Sequence, residues 1–115
     1  MQEKRQSPRK VADQILDVSD QITGNQIGRV VNISAEGFML LSEEPVVTGS
    51  VYQLKLEIPK AQGDKQPIKF GAEAVWCTEA TQPNSYWSGF HIIDIDNEDV
   101  LSIDQMVLDW YATED

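Results

Sequence analysis

The chain has 115 residues, 41% of them hydrophobic and 24% charged, the composition of one globular domain rather than of a disordered or fibrous chain. Its formal net charge of −10 argues against any role in coating nucleic acid or an anionic membrane, and its one cysteine, Cys77, excludes an internal disulfide and a thiolate metal cluster. The charge is unevenly placed: residues 1–10 hold four bases and one acid, net +3, while residues 11–115 hold five bases and eighteen acids, net −13.

The first ten residues, MQEKRQSPRK, form a polar arm with no periodic apolar signal and no apolar run of the secretory kind, so a cytoplasmic location is expected. With nothing to bury, the arm is expected to be flexible by itself, and Pro8 biases Ser7 toward extended backbone. From residue 11 to about residue 93 the hydrophobic period is two. VADQILDVSD (11–20) reads as a weak first strand, followed by IGRVVNI (27–33) and GFMLLS (37–42). VYQLKLEI (51–58) alternates most cleanly, placing Tyr52, Leu54, Leu56 and Ile58 on one face. IKFGAEAVW (68–76) does the same with Ile68, Phe70, Ala72, Ala74 and Trp76, and YWSGFHII (86–93) completes the series. Turn residues separate the strands at TGN (23–25), SAEG (34–37), TGS (48–50), PKAQGD (59–64) and QPNS (82–85). Six strands so spaced predict a small all-β antiparallel barrel or sandwich. The period then changes: Val100, Ile103, Val107 and Trp110 or Tyr111 recur at helical spacing, with Asp96 or Asn97 as cap, so a C-terminal helix is expected over 96–112. The expected layout is a basic arm (1–10), a barrel (11–95) and a helix (96–112) packed on it, one domain in all. No stretch is long and apolar enough to predict membrane insertion.

Catalytic signatures are missing. The sequence contains no GxxxxGK, GxGxxG, GxSxG or HExxH motif, and its single histidine, His91, reads as a barrel side chain. Trp76 and Trp87 read as barrel and rim residues rather than as a base-stacking platform. The chain is therefore expected to be neither an enzyme nor the carrier of a metal or other cofactor.

Two short motifs stand out. Arg5 and Arg9 lie four apart in R-Q-S-P-R, after Lys4. A guanidinium is planar and permanently charged, and it forks onto two oxygens of a phosphate or onto O6 and N7 of a guanine. At the junction between two strand patterns lies NISAEG, residues 32–37, in which Asn32 and Ser34 alternate to one face and Ile33 to the other. Gly37 tolerates backbone geometry closed to other residues. Either motif alone is consistent with a solvated tail or an ordinary turn.

Taken in order, an R-x-x-x-R arm followed by N-x-S-x-x-G between strands resembles the PilZ domain family, and the likeness runs over nearly the whole chain: the arm, NISAEGF, the strand at 52–58, EAVW (73–76), SGFHI (88–92) and the terminal helix. The resemblance implies a six-stranded antiparallel β-barrel ending in a helix, and a ligand, the bacterial second messenger cyclic di-GMP. It implies that Arg5 and Arg9 grip phosphates and guanine faces, that Asn32 and Ser34 hold a guanine edge and a phosphate, and that Gly37 shapes the turn. Asn32 stands where the family accepts Asp or Asn, and the neutral amide adds no repulsion toward an anion. Lys4 occupies the position before the first arginine, where members differ in binding one or two ligand molecules. The expected function is a non-catalytic sensor that relays cyclic di-GMP binding to a separate protein partner, in motility, pilus, exopolysaccharide or biofilm control, with no DNA or RNA partner. The alternative is a PilZ-like interaction adaptor that ignores the nucleotide.

Overall fold

The computed structural model describes residues 10–11, 16–59 and 65–114, and the side chains of residues 16–59 and 65–108. Seven strands and one helix follow in order: β1 (Lys10–Val11), β2 (Asp17–Asp20), β3 (Gln26–Ser34), β4 (Gly37–Ser42), β5 (Val51–Pro59), β6 (Lys65–Glu79), β7 (Tyr86–Ile95) and α1 (Asn97–Glu114). Every pairing is antiparallel. The ring runs β3-β2-β5-β6-β7-β4 and closes through β3–β4, a six-stranded barrel that leaves no long edge unpaired. The weak strand expected over 11–20 is two short strands laid end to end along one edge of β3, β1 opposite Asn32 and Ile33 and β2 opposite Gln26 to Arg29. Lys10, assigned to the arm by sequence, belongs to β1.

The alternation in β5 is realised as read: Leu54, Leu56 and Ile58 are buried and Tyr52 packs against the core from a half-buried position. In the centre, Phe38 stacks on Phe90 with ring centroids 4.9 Å apart, and Phe70 meets Phe38 edge-on at 5.8 Å. The turns carry the expected residues, with positive φ at Gly24, Gly49 and Asn84.

Single-residue bulges break the period-two pattern at four points, the first at Ile27 of β3, which is skipped between the pairs that Val18 and Ser19 of β2 make. Val31 on β3, Val75 on β6 and Ile93 on β7 have no partner in the register across the sheet. A bulge puts two residues opposite one and reverses which face every later side chain takes. The consequence at Val75 corrects the sequence expectation. Ile68, Phe70, Ala72 and Ala74 point into the barrel, but Trp76, placed on the same face by alternation, turns outward and is 41% exposed.

The helix starts where acids favour it, with Glu98 and Asp99 in the first turn, and the Asp96 carbonyl accepts the Val100 amide at 3.1 Å. It extends two residues past the expected end at 112, to Glu114. Ile103 and Val107 are buried as expected, joined by Met106, while Val100 is half-buried; Trp110 and Tyr111 fall among residues whose side chains are not described. Gln66 on β6 also donates to the Ser102 hydroxyl at 3.2 Å, holding the helix against the barrel.

Candidate functional site

The NxSxxG motif forms the β3–β4 hairpin. Ser34 and Gly37 are the last paired residues, and Ala35 and Glu36 make the turn between them. The Ser34 hydroxyl accepts the Glu36 amide at 3.2 Å and the residue is 1% exposed, so this side chain pins the turn from within. Asn32 follows the Val31 bulge, which turns it outward while Ile33 stays in the core. It is half-buried, and its amide nitrogen lies 3.6 Å from the Met39 sulfur across the hairpin.

Gly37 is required for a reason other than the one read from sequence. It is absent from the positive-φ residues. A Cβ there would instead overlap the Phe90 carbonyl oxygen, with the Phe90 carbonyl carbon at 3.4 Å and the His91 Cα at 3.5 Å. The glycine lets β7 approach the hairpin, and the turn is tied to β7 by the Ile92 amide donating to the Glu36 carbonyl at 2.9 Å.

Beside the hairpin lies an open cleft of about 420 Å³ on the outer surface of β4, β6 and β7, lined by Glu36, Gly37, Phe38, Met39, Val75, Trp76, Gly89, Phe90 and His91. The Trp76 indole covers Gly89 so closely that a side chain at residue 89 would overlap the ring. One glycine thus seats the backbone of β7 and the other seats an aromatic plate. Met39 links the two halves, touching Asn32 on one side and lining the cleft on the other.

Lys4, Arg5 and Arg9 lie outside the described residues. Their chain continues into β1, whose Lys10 and Val11 are the Cα partners of Ile33 and Asn32. Arg9 is one residue from Lys10, so covalent geometry alone holds its Cα about 3.8 Å from that of a residue paired with the motif. Arg5 is five residues from the same point, a reach of at most about 18 Å.

One cleft residue was misread in the sequence, Trp76, as an inward barrel residue; His91 is the barrel side chain that was read, and it lines the cleft. His91 is exposed on β7 between buried Phe90 and Ile92, and that bracketing was available as an outward signal. For Trp76 no such signal exists, because the bulge at Val75 is invisible in the alternation. Among the described residues, no group of three or more His, Cys, Asp or Glu side chains could hold a metal ion, and no helix is long and apolar enough to cross a membrane.

The family model for the PilZ domain matches residues 3–109. No curated protein sequence matches the chain. Among solved structures, the fold is similar to the inhibitor of motility MotI/DgrA of Bacillus subtilis (TM-score 0.81, 17% identity, 97% of this chain and 53% of that one). It is also similar to YcgR of Escherichia coli in complex with c-di-GMP (TM-score 0.72, 13% identity, 96% of this chain and 47% of that one). PlzA of Borreliella burgdorferi, also in complex with c-di-GMP, matches at TM-score 0.51 and 10% identity, over 88% of this chain and 46% of its own. The chain spans about half the length of each of these proteins.

Proposed function

The chain belongs to the PilZ domain family, and from that premise we propose that it is a non-catalytic sensor of cyclic di-GMP that passes the binding signal to a separate protein. One observation carries the reading. The two residues that follow R-x-x-x-R pair directly with the N-x-S-x-x-G strand, Val11 against Asn32 and Lys10 against Ile33, which ties the chain just after the arm to the second motif. YcgR and PlzA hold the same ligand in their structures, and MotI inhibits motility, which makes motility the favoured output.

In this reading Arg5 and Arg9 close over the ligand from the arm, each forking onto a phosphate or a guanine edge, with Lys4 adding charge at the start. Asn32 reads a guanine edge from the hairpin. Gly37 lets β7 close up against the hairpin at the cleft wall, and the exposed Trp76 plate takes a base face, an interaction worth about 1–3 kcal/mol per base. Ser34 acts first through the turn it pins. The binding energy is charge-assisted and partly exposed, so salt weakens it.

The adaptor reading has one observation in its favour: the Ser34 hydroxyl is already engaged and shielded from solvent. Calorimetry with cyclic di-GMP separates the two. The sensor gives saturable heat, selective over GTP, GMP and cyclic AMP, and ligand slows amide exchange at residues 4–10 while strand β5 is unchanged. Asn32→Ala weakens both the affinity and that protection. A protein that shows no heat and no shift in melting temperature at high micromolar ligand is the adaptor.

A further inference from the structure

The cleft beside the hairpin presents an anion with unfavourable charge. Its ionisable lining residues are Glu36 and His91, and Glu73 on β6 is the Cα partner of His91. A phosphodiester seated there meets the Glu36 carboxylate, with Glu73 on the strand beside His91, both opposing it on the scale of a surface ion pair of the wrong sign. Among the described residues lining the cleft, only His91 can present a positive charge.

The backbone holds His91 in position from both sides. It is the Cα partner of Gly37 on β4 and of Glu73 on β6. Its Cα is 3.5 Å from the point where a side chain on Gly37 would begin, and the amide of the next residue, Ile92, is bonded to the Glu36 carbonyl. Phe90 and Ile92 are buried on either side, so the imidazole leaves the strand on the cleft face. Gly37 and His91 lie side by side on neighbouring strands and line the same cleft.

We propose that His91 is a ligand-contacting residue of the messenger site, whose protonated imidazole donates an N–H to a phosphate oxygen of the cyclic dinucleotide across Gly37, so that binding takes up a proton. The inference rests on the reading that this cleft holds cyclic di-GMP. The titratable neighbours of His91 are Glu73, its Cα partner on β6, and Glu36, which lines the same cleft from the turn, while its partner on β4 is Gly37, which does not titrate. An added anion favours the charged imidazole over the neutral one, so affinity rises as pH falls through the range in which imidazoles titrate. The arginines of the arm stay charged throughout and contribute no such dependence.

The chain has one histidine, which makes the test clean. The full chain and His91→Gln are titrated with cyclic di-GMP by calorimetry at about pH 5 and pH 8, the limits of the imidazole range, in buffers of low and high ionisation enthalpy. The wild type is expected to bind about twofold to fivefold more tightly at the acid end, the yield of an exposed ion pair, and to take up protons. His91→Gln is expected to bind alike at both. The imidazole proton resonance of the wild type, followed against pH, should move its midpoint upward when ligand is added. A flat wild-type profile, or a pH dependence that survives in His91→Gln, overturns the role of His91 and leaves the sensor standing. Absence of wild-type binding at both pH values overturns the sensor and this inference together.

Discussion

Two glycines line the same cleft, and alanine should affect them in opposite ways. At Gly37 the new methyl would overlap the carbonyl oxygen of Phe90, which is backbone inside a paired strand. Residues Gly37 to Ser42 pair continuously with His91 to Tyr86, so the oxygen cannot retreat without moving that ladder. Overpacking of this kind costs about 1–3 kcal/mol. In a domain of this size that lowers the melting temperature by roughly 5–15 °C. At Gly89 the methyl would overlap the indole of Trp76, the far end of a side chain already 41% exposed. The indole can swing into solvent, so Gly89→Ala should cost less than about 1 kcal/mol of stability, the scale of a surface rearrangement. It should nevertheless weaken cyclic di-GMP binding by about 1–3 kcal/mol, because the plate that receives a base has moved. Thermal melts and calorimetry on the two variants give both quantities. If Gly37→Ala melts with the wild type, the close approach of β7 is not a constraint on the fold. If Gly89→Ala binds with wild-type affinity, Trp76 is not part of the site.

Arg5→Ala and Arg9→Ala should each weaken binding by about 2–5 kcal/mol, the scale for truncating one side of a hydrogen-bonded charge pair. Their Lys replacements should also bind less well, and lysine variants that match the wild type in calorimetry would reduce the arm to a point charge. Ile103 is fully buried beneath the helix, so Ile103→Ala should cost about 2–5 kcal/mol in denaturant unfolding, and an unchanged midpoint would show that the helix is a detachable element. The Asp99 carboxyl is held above its ordinary value of 3.8 by burial, then by the neighbouring charges of Asp96 and Glu98. Because the folded state binds that proton more tightly, ionised Asp99 lowers stability at neutral pH, and the penalty fades as pH falls through the raised value toward 3.8. Asp99→Asn should therefore raise the melting temperature at pH 7 and lose that gain in acid. A gain that is constant with pH would point to something other than charge.

Local chemistry was enough to read much of this protein from its sequence. The alternation of residues 51–58 put Tyr52, Leu54, Leu56 and Ile58 on one face, and strand β5 buries the last three and packs Tyr52 half-buried beside them. The helical spacing of Ile103 and Val107 required a partner surface, which the barrel supplies. The hairpin at Asn32 to Gly37 was legible because turn residues act over two or three positions. The rest depended on contacts between strands far apart in sequence. Whether Trp76 faces the core or a ligand is decided at the bulge of Val75, and a bulge reflects how β6 registers on β7 around a closed barrel. The need for glycine at residue 37 comes from Phe90, more than fifty residues later, and not from the turn that contains it. The weak strand at 11–20 divides because β1 and β2 each pair with a different end of β3, and that division sets Val11 opposite Asn32. His91 meets Gly37 and Glu73 in one row for the same reason. Alternation fixes the face of a side chain relative to its neighbours in the strand, but only the register between strands determines which side chains from distant segments share a cleft.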